Sequence, residues 1–184
     1  MNRNTFEDAH VNDEDYRLRY LALTEGQEPL EMQRRAPETL AQLIAGASGE
    51  ALRRPASPGK WSIAEILRHL VDDEIVSTWR YRRMIEQPGC ALHSFDQDAW
   101  VRMGDDPSGS PQETLELFRL LRLANLRMLA KLSEPQWQSH GMHAERGRIA
   151  VRDLVRHMAG HDVNHIEQIE RILGSPLVTS RGAS

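Results

Sequence analysis

Residues 150–173 carry one unbroken stripe at helical spacing: Leu154, Met158, His161, His165, Ile169 and Ile172 recur three and four positions apart. A period near 3.6 held over this length fits an α-helix with one face turned inward. Such a helix is roughly 35 Å long at about 1.5 Å per residue, so its inner face needs other helices beside it along its length. The stripe ends at Gly174 with Pro176 beyond, a good stop signal. Its start near Ala150 has no good capping side chain. Two positions of the stripe are histidine, so a polar pair stands on a face that should be dry.

Three more segments can cover that face. A first helix is expected over Pro37–Ala47, with Pro37 at its first position and Leu40, Leu43, Ile44 and Ala47 as its stripe. An earlier turn from Leu30 is compatible with the pattern. A second helix starts at Ser62, where Ser62 and Glu65 form a capping box, and should end before Pro88-Gly89. Its inward face reads Ile66, His69, Asp73 and Val76, with Ile63, Leu70 and Trp79 beside it. A third starts at Ser110-Pro111 with Glu113 in its first turn, carries Leu115, Phe118, Leu121, Leu129 and Leu132, and stops before Pro135. No strand pattern or internal repeat is visible. The fold class is therefore all-α, a four-helix bundle. Residues 88–110 form a long irregular connection with Phe95 and Trp100, and a connection of that length often shapes a site. The expected organisation is a polar arm over 1–28 with one short helix around Asp13–Leu23, a helical domain over 29–176 and a tail over 177–184.

The chain has 184 residues, 40% hydrophobic, enough for one domain with a core. A net charge of −4 argues against nucleic acid or an anionic membrane as partner. No apolar run approaches the roughly 18 residues of a membrane span, and the polar N-terminus lacks a signal-peptide core. Cys90 is the single cysteine, which accords with a cytoplasmic location.

His161 and His165 are one helical turn apart, and His69 stands on the inward face of another helix. Burying imidazoles requires partners for their ring nitrogens, and a shared ion supplies one to each ring. Buried histidines converging in a helical bundle are most simply a metal site. His157, one turn before His161, is expected to support the site from one side. Asp73 and Gln168, each one turn or less from a histidine, are candidates to accept a proton from a ligand ring and fix its tautomer. Asp162 should face outward. His140 and His143 lie in the connection before the last helix, with idle loop residues as the default reading. Arg80, Arg82 and Arg83 read as a solvated basic face, and Trp61, Trp79, Trp100 and Trp137 as core anchors, Trp100 having the best chance of touching a ligand. Imidazole ligands suit zinc, nickel, copper and iron alike.

The segments Lys60–Leu70, around His69, and His161–Ile169 resemble the first and last motifs of the DinB-like superfamily. Phe95-Asp96-Gln97-Asp98-Ala99-Trp100 resembles the linker of its branch with YfiT-like metal-dependent proteins and bacillithiol transferases. The resemblance spans about residues 37–173. It implies a four-helix bundle with the long crossover between the second and third helices, and one divalent ion (zinc, nickel or iron) held by His69, His161 and His165 with water. It also implies a homodimer, a small-molecule substrate and activation of a water or a low-molecular-weight thiol. The expectation is thus a metal-dependent transferase or hydrolase. The rival is a non-catalytic metal-binding bundle with a structural or sensing role, which a fourth protein ligand such as Asp73 would favour.

Overall fold

The computed structural model describes residues 13–104 and 109–174. The first part of the expected arm, 1–12, and the expected tail, 177–184, lie outside the described residues. Four long helices make the bundle: α2 (Pro29–Ile44), α4 (Ile63–Glu86), α6 (Pro111–Leu129) and α8 (Val151–Leu173). Around them lie α1 (Asp13–Leu23), α3 (Gly49–Arg53), α5 (Gln97–Met103) and α7 (Glu134–Gln138). α4 packs on α6 and α8, and α2 packs on the same two, so α2 stands diagonally across the bundle from α4, and α6 from α8. Among the described residues no helix is long and apolar enough to cross a membrane.

Local chemistry sets most boundaries. Ser62 with Glu65 and Ser110 with Glu113 form reciprocal capping boxes on α4 and α6. Gly174 closes α8 at φ 67°, a left-handed cap that glycine adopts without strain. α8 begins without a cap at Ala150, but the Ala150 amide donates to Asp153 Oδ2 at 3.0 Å. α6 ends at Leu129, so Leu132 packs from beyond the helix.

Two expectations are corrected. The first bundle helix begins at Pro29 rather than Pro37, so Pro37 lies inside α2. Proline cannot donate to the carbonyl four residues back. That carbonyl, of Gln33, instead accepts from Arg122 Nη1 at 2.9 Å, which removes the usual penalty for an orphaned group. The chain also contains strands: β1 (Cys90–Leu92), β2 (His140–His143) and β3 (Gly147–Ala150). β1 pairs parallel to β2, and β2 pairs antiparallel to β3. Strands of three and four residues are too short to display a period of two. The sheet ties the crossover after α4 to the hairpin before α8. β1 and α5 thus give structure to the segment read as irregular.

The core divides in two. Leu40, Ile44, Ile63, Leu67, Phe118 and Ile169 belong to one apolar cluster, and Tyr81, Met84, Leu129, Val151, Leu154 and Val155 to another. Each fully buried aliphatic side chain contributes about 1.5–3 kcal/mol. Along α4, α6 and α8 the residues between these clusters are polar and still buried: His69, Asp73 and Glu74; Arg122 and Asn125; His161, Asp162 and His165. Trp79, expected as a core anchor, is 46% exposed. It lies on the side of α4 away from both clusters.

Candidate metal centre

α4 supplies His69, and α8 supplies His161 and His165 from successive turns. Their Nε2 atoms meet at one point: 3.0 Å separates His69 from His161, and 3.1 Å separates His165 from His161. Two nitrogens each about 2.0–2.1 Å from one ion lie roughly 2.9–3.4 Å apart for angles between square and tetrahedral. The observed spacing falls in that window. Burial holds the His69 and His165 rings down to about 3 and His161 well below its ordinary value, so all three are neutral at pH 7. His165 Nδ1 lies 2.8 Å from Gln168 Oε1, and a proton donated there leaves the lone pair on Nε2. Nδ1 of His69 and of His161 is buried without a hydrogen-bond partner. Hydrogen bonds between facing imidazole nitrogens satisfy only part of such a trio, whereas one cation satisfies all three. The donor set therefore fits a divalent ion.

Asp73, one turn after His69, brings Oδ2 to 3.1 Å from His161 Nε2 and 3.5 Å from His69 Nε2. It faces the meeting point rather than a ring Nδ1. Burial pushes its carboxyl up to about 7, Arg80 and Arg146 pull it down, and Glu74 pushes it up. Trp61 packs against His69, with ring centres 4.9 Å apart. Tyr20 of α1 stands edge-on to His161 at 5.8 Å and to His157 at 4.9 Å. That approach depends on Gly160, where a Cβ would lie 2.4 Å from the Tyr20 carbonyl oxygen.

A cavity of about 320 Å³ opens beside the three histidines. Ser94, Phe95, Asp96 and Gln97 from the crossover form one side of it, and His143 with Arg146 from the β2–β3 hairpin another. Arg80 reaches in from α4, two turns beyond Asp73. Its Nη2 donates to the His93 carbonyl at 2.6 Å, while its Nε is buried without an acceptor. Burial disfavours the Arg80 charge, Asp73 supports it, and Arg146 opposes it.

Residues 32–169 match the family model of the DinB superfamily. The chain belongs to the DinB superfamily. It is 22% identical over 142 residues, 75% of this chain and 80% of the relative, to YfiT of Bacillus subtilis, whose name describes an inferred metal-dependent hydrolase. Another relative so named, from Oceanobacillus iheyensis, is 24% identical over 139 residues, 74% of this chain and 78% of that one. The solved structure of Bacillus subtilis YfiT, described as having an unusual four-helix bundle topology, superposes with a TM-score of 0.73 at 18% identity, over 94% of this chain and 95% of that one. A mycothiol-dependent maleylpyruvate isomerase shares the fold at a TM-score of 0.56 and 12% identity, over 73% of this chain and 58% of that one.

Among the described residues of this DinB-superfamily chain, one group of histidines or acids could hold a metal ion, and it is His69, His161 and His165. His157 lies beside it, its ring centre 6.4 Å from that of His161. Asp162 does not face outward: it is 2% exposed and forms a two-pronged ion pair with Arg122 at 2.5 and 3.0 Å. α1 and α2 both pack on α8, so the far side of that helix is covered too. His143 is buried in β2, its Nδ1 facing the backbone amides of Glu145 and Arg146 at 3.3 and 3.4 Å. Arg80 turns into the cavity, whereas Arg82 donates to the Thr78 carbonyl and Arg83 to Glu86 on α4 itself. Trp100 packs on Phe95, ring centres 4.6 Å apart, and so backs the cavity wall without lining it. β2 is too short for alternation to announce the burial of His143, and nothing local separated Arg80 from Arg82 and Arg83.

Proposed function

We propose that this protein is an enzyme that binds one divalent ion through Nε2 of His69, His161 and His165 and acts on a small molecule by hydrolysis or by transfer to a thiol. The observation that carries the reading is the convergence of three neutral imidazoles at the base of a cavity. A divalent ion there supplies Lewis acidity and makes a water or thiol more acidic. Gln168 orients His165, and Trp61 fixes the ring plane of His69. Asp73 is the candidate proton acceptor, since its Oδ2 faces the point where the three Nε2 atoms meet. The names of the relatives favour water as nucleophile over a thiol.

The short distances from Asp73 Oδ2 to two ring nitrogens also support a second reading, in which Asp73 is a fourth ligand and the site is closed and non-catalytic. Two further parts of the proposal are a cytoplasmic location, consistent with the single free cysteine, and a homodimer. Exposed Ile75 and Trp79 on α4, with Leu117 and Leu120 on α6, offer apolar surface for a second copy.

The test is elemental analysis of protein never exposed to a nickel column, followed by ester, amide and thiol-transfer assays with and without chelator. Metal near one equivalent per chain and activity lost with the metal are expected. Protein that neither contains nor takes up metal would sink the proposal. Bound metal without an exchangeable position would favour the closed site.

A further inference from the structure

We propose that the substrate carries a carboxylate, held in the cavity by the guanidinium of Arg80. This rests on the reading of the cavity as a substrate site. Asp73 and Arg80 share one face of α4, about 10 Å apart along the axis. The helix that brings a histidine to the centre thus also points a cation at whatever lies above it. His93 accepts from Arg80 Nη2 and anchors the fork, while the neighbouring Nε–H is buried and has no acceptor. A buried charged donor left unpaired is unfavourable, and an arginine edge matches the two oxygens of a planar carboxylate.

Charge points the same way. Two guanidiniums border the cavity, Arg146 opposes the Arg80 charge, and a bound anion would support it. Asp96, which also lines the cavity, is turned back to cap α5, accepting from the Ala99 amide at 2.9 Å, and Glu145 and Arg146 lie exposed at the rim. The volume, about 320 Å³, lies at the small end of ligand pockets, which suits a compact acid.

The experiment is calorimetric binding of benzoate, its neutral isostere benzamide and inorganic phosphate to protein as purified and after metal stripping. Benzoate should bind both forms, benzamide neither, and phosphate more weakly than benzoate. Arg80→Gln should weaken benzoate ten- to a hundredfold, about the worth of one charge-assisted hydrogen bond. Arg80→Lys, which keeps the charge and loses the Nε donor, should weaken it by a smaller factor, and its circular dichroism guards against misfolding. Benzoate bound equally by the parent and both variants overturns the proposal, as does benzamide matching benzoate or phosphate exceeding it. Metal content measured on the same samples keeps the two readings apart: benzoate binding without metal uptake sinks the metal site alone.

Discussion

Two polar clusters stand side by side inside this bundle, built from adjacent positions of the same two helices. Asp73 and His161 face the cavity, while their neighbours Glu74 and Asp162 face Arg122. The Arg122 cluster is closed. Arg122 pairs with Glu74, Asp162 and the Gln33 carbonyl, and Asn125 donates to the second oxygen of Glu74. Burial opposes its charge, but Asp162 and Glu74 outweigh that and hold it firmly protonated. The histidine cluster is open: its lone pairs face one another, and two ring nitrogens lack partners. A buried network with every group paired fixes a fold, whereas converging lone pairs and unpartnered ring nitrogens leave the second cluster unsatisfied by the protein alone.

This contrast can be broken most forcefully at Arg122. Arg122→Met leaves Glu74 and Asp162 buried with no cation, so denaturant unfolding should register a loss of about 3–5 kcal/mol. A loss no larger than the ~1 kcal/mol of a surface ion pair would mean that the cluster is hydrated and not closed. The open cluster should instead answer in metal affinity. His161→Ala should cost more than the roughly 10–100-fold typical of an outer partner, Gln168→Ala should fall within that range, and His157→Ala should cost least. Metal titration of the three variants decides it, and equal losses at His161 and His157 would redraw the ligand set.

The smallest effect concerns acid. The His69 ring titrates at about 6.5 when unfolded and about 3 when folded. As pH falls below 6.5 the unfolded chain takes up the proton first, so the buried neutral ring progressively destabilises the metal-free fold. Metal-free His69→Gln should therefore lose less stability than the parent between pH 7 and pH 5, by up to about 1.4 kcal/mol per pH unit below 6.5. Parallel stability curves would mean that the ring is solvated.

The long helices and the histidine trio were legible because periodicity and capping are local properties. Ser62 with Glu65, and Leu154 through Ile172, announce their helices without help from the rest of the chain. Pro37 misled because its cost is removed from outside, by an arginine 85 positions away in sequence. Asp162 misled because one amphipathic face was assumed where α8 is covered on more than one side. Arg80 and His143 acquire their roles from the crossover and the sheet, whose pairing joins segments distant in sequence.

At Gly160 the backbone of α1 touches α8 next to His161, with no room for a single added carbon. Every amino-acid replacement reachable by one base change in a glycine codon adds at least that carbon. The smallest mutational steps at this position would thus all lever the start of the chain away from the histidines. A residue with no side chain, and no chemistry of its own, sets how the first helix can contribute to the cavity.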